Sequence, residues 1–214
     1  LSLLPVFSDH VEWALGRTEG SLKLHGTLAV PRLDGTVRVT GGALKIKYLE
    51  NPVTDMQIQI DALGDSVVVR SCTGRMGAGS YMMTGHMELS GVEPTDYDFS
   101  LVMNDLAIKT TFFDGPLSGS LRLTEDEYWG ETLPKLAGTI NIDRALVSIP
   151  SIPDTNDELP HIILDVGLTV DRHVHFFSAN LYDIHPSGYV HFGGTTHHPR
   201  TTGSIGVRRG DTVS

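Results

Sequence analysis

Cysteine is almost missing from this chain. Cys72 is its one thiol in 214 residues. That excludes an internal disulfide and a zinc site built on several thiolates. The plain reading of Cys72 is a small residue inside a strand. Its solitude fits a reducing compartment, or an envelope protein that avoids mispairing. Basic charge is short as well: 16 Lys and Arg stand against 26 Asp and Glu, a net charge of −10. Nucleic acid, which needs a broad basic footprint, is therefore excluded as a partner. Adsorption to anionic membrane surfaces by charge is excluded on the same ground, so any contact with lipid has to be apolar. No apolar run approaches the ~18 residues a membrane helix needs, and no charged-then-apolar leader opens the sequence. The chain begins at Leu1 and stops after "RRGDTVS". This reads as a segment of a longer protein whose targeting signals lie elsewhere.

Helix signals are sparse. The best is "SDHVEWALGRTEG", where Asp9 stands as a cap, Glu12 follows as in a capping box and Gly16 would end a short N-terminal helix. Two turns at most are expected. "TEDEYWGETL" is weaker, and its glycine and crowded acids favour a loop. Signatures of catalysis are wanting too: no G-x-S-x-G elbow, Walker loop, H-E-x-x-H or dinucleotide fingerprint occurs. "GRMGAG" has phosphate-cradling glycines, but a strand pattern follows it, so no helix N-terminus is available for an anion. Paired acids such as Asp96 and Asp98 read as solvated outer positions. Among the histidines, Asp171, His173 and His175 share one strand face and could begin a metal site. No further ligand follows at a known spacing, so a polar outer face is the expectation, with no metal and no cofactor. The doublet His197-His198 is expected in a solvated turn.

What fills the chain is alternation. Leu44, Ile46 and Tyr48 alternate with Lys45 and Lys47; Met56, Ile58 and Ile60 alternate with Gln57 and Gln59; Tyr97, Phe99, Leu101 and Met103 stand opposite Asp98, Ser100 and Val102. A period of two marks strands with one dry and one wet face. One-sided dryness points to antiparallel sheets rather than a sheet covered on both faces. Glycine (23 residues) and proline (11) punctuate these strands as an all-β chain requires.

The alternation also repeats. Pro31-x-x-x-Gly35, Pro134-x-x-x-Gly138 and Pro199-x-x-x-Gly203 each lead into a small hydroxyl residue and an alternating strand. Upstream, "GSLKL" from Gly20, "GSLRL" from Gly119 and "GYVHF" from Gly188 complete the motif. The proline is expected where a strand leaves its ladder, and the glycine at the tight bend that follows. Stacked units of this kind bury their dry faces only against neighbours, giving one elongated object. The chain is read as a single unit, 1–214, with cycles near 16–91, 92–188 and a partial third at 188–214.

"GSLKLHGTLAVPRLDGTVRVTGGALKI", "VVVRSCTGRMGAGSYMMTGHMELSG", "LPKLAGTINIDRALVSIP" and "GYVHFGGTTHHPRTTGSIGVRRG" resemble the recurring cycle of the TamB-like branch of the AsmA-like superfamily. The likeness covers most of the chain from about Gly16. It implies a long curled antiparallel sheet, a β-taco, with an apolar concave face. It also implies a non-catalytic role in the periplasm or cell envelope, within a parent anchored in the inner membrane. Phospholipid acyl chains are the implied ligand, and an outer-membrane β-barrel assembly protein is a partner of the parent chain. On this reading Leu44, Ile46, Met56, Ile58, Ile60, Tyr97, Phe99, Leu101 and Met103 line a lipid groove, with methionines as adaptable lining. Ordinary sandwich or barrel core is the other reading of the same residues. At the level of function, the alternatives are a structural or adhesive β-solenoid module and a β-rich hydrolase.

Overall fold

The computed structural model describes residues 11–27, 31–91, 93–111, 113–148, 160–178 and 182–207. Every regular element among them is a strand: β1 (Val11–Gly26), β2 (Pro31–Ile46), β3 (Val53–Gly64), β4 (Ser66–Met76), β5 (Gly79–Ser90), β6 (Glu93–Lys109), β7 (Phe113–Tyr128), β8 (Glu131–Ser148), β9 (Ile163–Ser178), β10 (Tyr182–Ile184), β11 (Pro186–Gly194) and β12 (Pro199–Val207). They form one sheet in chain order from β1 to β9, then β11 and β12, with the short β10 paired to the end of β9. The fold is thus all-β, an elongated, curled and open sheet.

The expected N-terminal helix is replaced by β1. Asp9 lies outside the described residues, but from Val11 onward the stretch is extended and pairs with β2 from Val11↔Ile46 to Gly26↔Pro31. Gly16, read as a helix end, has φ 146° and sits beside Gly42 of β2. A weak local preference yields here to a long ladder of cross-strand bonds. The loop expected at "TEDEYWGETL" is likewise a hairpin. β7 runs on to Tyr128, Trp129 and Gly130 turn the chain at φ 55° and 85°, and β8 returns at Glu131. Two positive φ values in succession match the twist of hairpin strands, and Lys135 Nζ bonds Asp126 at 2.7 Å, so the acids are accommodated on the surface.

One pair departs from the antiparallel expectation. β8 and β9 run parallel, from Lys135↔Ile163 to Ser148↔Phe177. Residues 149–162 connect them, and a parallel pair needs a crossover of about that length. Alternation carries no information on strand direction, so it left this reversal unseen.

The proline-glycine motif proves to be a hairpin whose glycines lie within strands. Pro31 and Pro199 open β2 and β12, but Pro134 lies inside β8 opposite Glu125. The three copies share one cross-strand figure. Gly20 faces Val37 while Leu22 faces Gly35. Gly119 faces Ile140 while Leu121 faces Gly138. Gly188 faces Ile205 while Val190 faces Gly203. At Gly138 (φ 138°) a Cβ would stand 2.1 Å from the carbonyl oxygen of Ser120, so only glycine fits. Each glycine lets the two backbones approach closely, since a Cβ at any of the six would run into a carbonyl oxygen of the facing strand.

Curling shows most plainly at one end. The β4–β5 hairpin is short, and the longer β2–β3 and β6–β7 tips meet beyond it. The Glu50 amide donates to the Lys109 carbonyl at 2.8 Å, Asn51 Nδ2 donates to the Ala107 carbonyl at 2.8 Å, and Lys109 pairs with Glu50 at 3.0 Å. Under this clasp Val53, Met76, Met103 and Leu106 form a buried cluster with Leu44, Leu49 and Met56 packed against it. A second cluster, Ala145, Val170 and the fully buried Val174, forms where β8 meets β9.

Candidate ligand groove

Strand register turns the alternation of single strands into rows that cross the sheet. One row runs Val39, Ile58, Cys72, Met83, Leu101, Leu121, Gly138, Val166, Phe192, each paired with the next. A second runs Val37, Ile60, Val69, Gly85, Phe99, Leu123, Leu136, Leu164. A third runs Tyr81, Met103, Gly119, Ile140, Leu168, Val190. No position in the first two rows carries a charge. Bulges interrupt the ladders between most neighbours, for example at Val69/Cys72 and Met103/Leu106, and bend the strands without breaking the rows.

Eight of the nine residues expected to line a groove are partly buried, and Met103 is buried. Ile58 and Leu101 share the first row, Ile60 and Phe99 the second. Leu44, Met56, Leu101 and Met103 come together at the clasped end. Ile46 pairs with Val11 near the rim. Tyr97 lies one step further along β6, its hydroxyl pKa raised first by burial and then by the charge of Glu125. Beneath these flanking residues Val67, Val69, Cys72 and Met76 of β4 are buried, so β4 is the floor. The Cys72 thiol is pushed up by burial, and a hydrogen bond with Tyr81 partly offsets this. Tyr81 is itself raised, first by burial and then by Cys72.

Single-strand alternation missed the far half of the band: Leu121, Leu123, Leu136, Ile140, Val166, Leu168 and Val190. The repeat held the signal, since Leu121 and Leu123 occupy the places of Leu22 and Leu24 in the first copy. The opposite face is polar. Arg122 Nε bonds Asp98 at 2.8 Å and Arg70 Nε bonds Asp61 at 2.8 Å. The Arg122 hydrogen bonds hold Asp98 below the usual carboxylate range. Asp171 and His173 approach at 3.6 Å, while His175 stacks on His185 at 4.6 Å. Among the described residues no group of three His, Cys, Asp or Glu side chains is placed to hold a metal. His198 is exposed beyond β11, and His197 stacks on His161 at 4.4 Å. A depression of about 400 Å³, lined by Lys45, Lys47, Tyr48, Leu49, Glu50, Thr110 and Thr111, lies at the clasp and outside the apolar rows.

No family model matches the chain, and no solved structure matches it. Among curated proteins it is similar to "Protein SUBSTANDARD STARCH GRAIN 4, chloroplastic" of Oryza sativa subsp. japonica, at 23% identity over 154 residues. The aligned part is 70% of this chain, and the chain spans 7% of the length of that relative.

Proposed function

We propose that this chain is a non-catalytic groove module of a TamB-like, envelope-spanning protein, conducting phospholipid between inner and outer membrane or aiding outer-membrane assembly. The observation that carries the reading is the uncharged band of half-buried Ile, Leu, Met, Phe and Val across successive strands of a curled, open sheet. At a strand spacing of ~4.8 Å the nine strands of the longest row, β2 to β9 and β11, extend it for about 40 Å. An acyl chain lying along it gains ~0.8 kcal/mol for each buried CH₂ and meets no charge when it moves by one row. The ligand is therefore the acyl part of a phospholipid, with no demand on the headgroup. An outer-membrane barrel-assembly protein would be engaged by other parts of the parent, and the setting is the periplasm or cell envelope. The printed name of the rice relative makes the chloroplast a second setting to test.

The buried β4 floor favours a second reading, a structural β-solenoid module whose inner face is filled by its own side chains. Native mass spectrometry with lipid extraction, and photo-crosslinking of acyl chains to Ile58→Glu and Phe99→Asp, separate the two. The groove reading expects copurified lipid, lost crosslinking in both variants, and a retained β-sheet spectrum. Gln57→Glu, on the outer face of the same strand, should crosslink normally. Recovery of no lipid, or unfolding of both inner-face variants, would sink the groove in favour of the filled interior.

A further inference from the structure

The β7–β8 hairpin reaches further than the ladders beside it. Pairing with β6 ends at Asp98↔Thr124, and pairing with β9 begins at Lys135↔Ile163. Between these limits the two strands pair with each other, through Glu125↔Pro134, Asp126↔Leu133, Glu127↔Thr132 and Tyr128↔Glu131. Among the described residues no third strand joins those rungs. The acidic stretch "TEDEYWGETL" is thus a two-stranded finger in the middle of the strand order.

Trp129 stands at its tip. The ring is 90% exposed, more than any other large apolar side chain among the described residues, and its ring contact is Tyr128, edge-on at 6.3 Å. The residue holds φ 55° at a turn position that Asn, Asp or Gly takes at less cost. Burial within the chain does not offset that cost. Indole rings of this kind are anchors of protein interfaces.

Charge defines what the anchor meets. Glu125, Asp126, Glu127 and Glu131 stand against Lys135, a net charge of −3 over residues 125–135. Asp126 pairs with Lys135 at 2.7 Å, and Glu125 accepts the Asp96 amide at 3.1 Å. Among the described residues no cation pairs with Glu127 or Glu131, which flank the tryptophan turn. Outside the described segments the only Lys or Arg residues are Arg208 and Arg209, and they follow the end of β12 remote from this tip. The complementary cation therefore comes from another protein. A guanidinium stacks on an indole face and grips a carboxylate with two bonds, which an ammonium does less well. A neutral sugar gains nothing from the carboxylates, and an anionic membrane is repelled by them.

We infer that the β7–β8 tip is a docking element for an arginine-bearing segment of a second protein. Trp129 is the stacking platform, and Glu127 and Glu131 are the ion-pair partners.

The test uses the whole chain and a labelled hexa-arginine peptide, with affinity read by anisotropy and location by amide exchange. Saturable binding is expected, with slowed exchange over residues 126–133 and no change over β1. Trp129→Ala removes no charge and should weaken binding at least fivefold, as should Glu127→Gln combined with Glu131→Gln. Exchange across the β7–β8 ladder of the free variants confirms that they fold. Glu12→Gln combined with Glu19→Gln removes the same charge from β1 and should bind normally. Hexalysine should bind at least threefold more weakly than hexa-arginine. No binding, equal binding by Trp129→Ala, equal affinity for hexalysine, or protection elsewhere than the tip overturns the inference. So does a Trp129 fluorescence shift, in a Trp13→Phe chain, caused by maltoheptaose or by phosphatidylcholine vesicles but not by hexa-arginine. Self-association of the chain that Arg208→Gln with Arg209→Gln abolishes would overturn it as well, by making the partner a second copy.

Discussion

Gly138→Ala tests the glycine figure most directly. Gly138 has φ 138°, and an added Cβ would stand 2.1 Å from the Ser120 oxygen and 3.0 Å from Leu121 Cα. Both obstacles are backbone of the facing strand, which cannot rotate aside. Holding alanine at this φ costs about 1–3 kcal/mol, and separating the strands to relieve the clash costs about as much. The lower entropy of the unfolded alanine chain adds ~0.4–1 kcal/mol to the gap on its own in favour of alanine. The net expectation is a loss of about 2–5 kcal/mol. Two further glycines calibrate this value. Gly41 has φ 59° with nothing within 4 Å of a built Cβ, so Gly41→Ala meets only the backbone penalty, about 1 kcal/mol. Gly206 has no such φ, and its nearest contact would be 3.8 Å, so Gly206→Ala should be neutral or stabilising by up to ~0.5–1 kcal/mol. Urea unfolding of the three variants reads the order, and amide exchange across residues 118–141 reads it locally if the sheet does not unfold in one step. If Gly138→Ala falls within 0.5 kcal/mol of Gly41→Ala, roughly the scatter of independent sites, the argument from close approach is refuted.

Two further outcomes follow from the same geometry. Met103 is buried in the clasped cluster, so Met103→Ala should cost about 2–5 kcal/mol in urea unfolding, whereas Met82→Ala on the exposed outer face should change little. Asp98 is held below the usual carboxylate range by Arg122, so its contribution is present above pH ~4 and is lost as pH falls through its folded value. Acidification from pH 7 to 3 should therefore shift the urea midpoint less in Arg122→Ala than in the parent. An equal shift would show that the pair adds nothing beyond screening.

Much of the apolar band was legible because its signal is local. Ile58 with Ile60, and Phe99 with Leu101, declare a dry face by a period of two whatever their neighbours are. The far half was hidden for the opposite reason. Leu136, Val166 and Leu168 join the band only through register across β7, β8 and β9, and pairing partners are not written in any one strand. The proline-glycine motif was recognised as a repeat and misread as a bend. Proline and glycine are commonest at turns, and only pairing placed each glycine in mid-strand, close against the backbone of the facing strand. The helix expected around Glu12 failed because a few kcal/mol of local preference cannot compete with a 16-residue ladder.

By itself the sequence determined an all-β chain with one dry and one wet face, a net negative charge and a proline-glycine motif used three times. Those properties depend on neighbours one to four residues away, where side-chain alternation and backbone freedom act directly. Tertiary structure alone decided the parallel joint between β8 and β9, the clasp of Glu50 and Asn51 on β6 and the burial of β4 as floor. Each depends on which strands lie side by side. That is settled by the total burial and hydrogen bonding of the whole sheet, which no short stretch of residues carries.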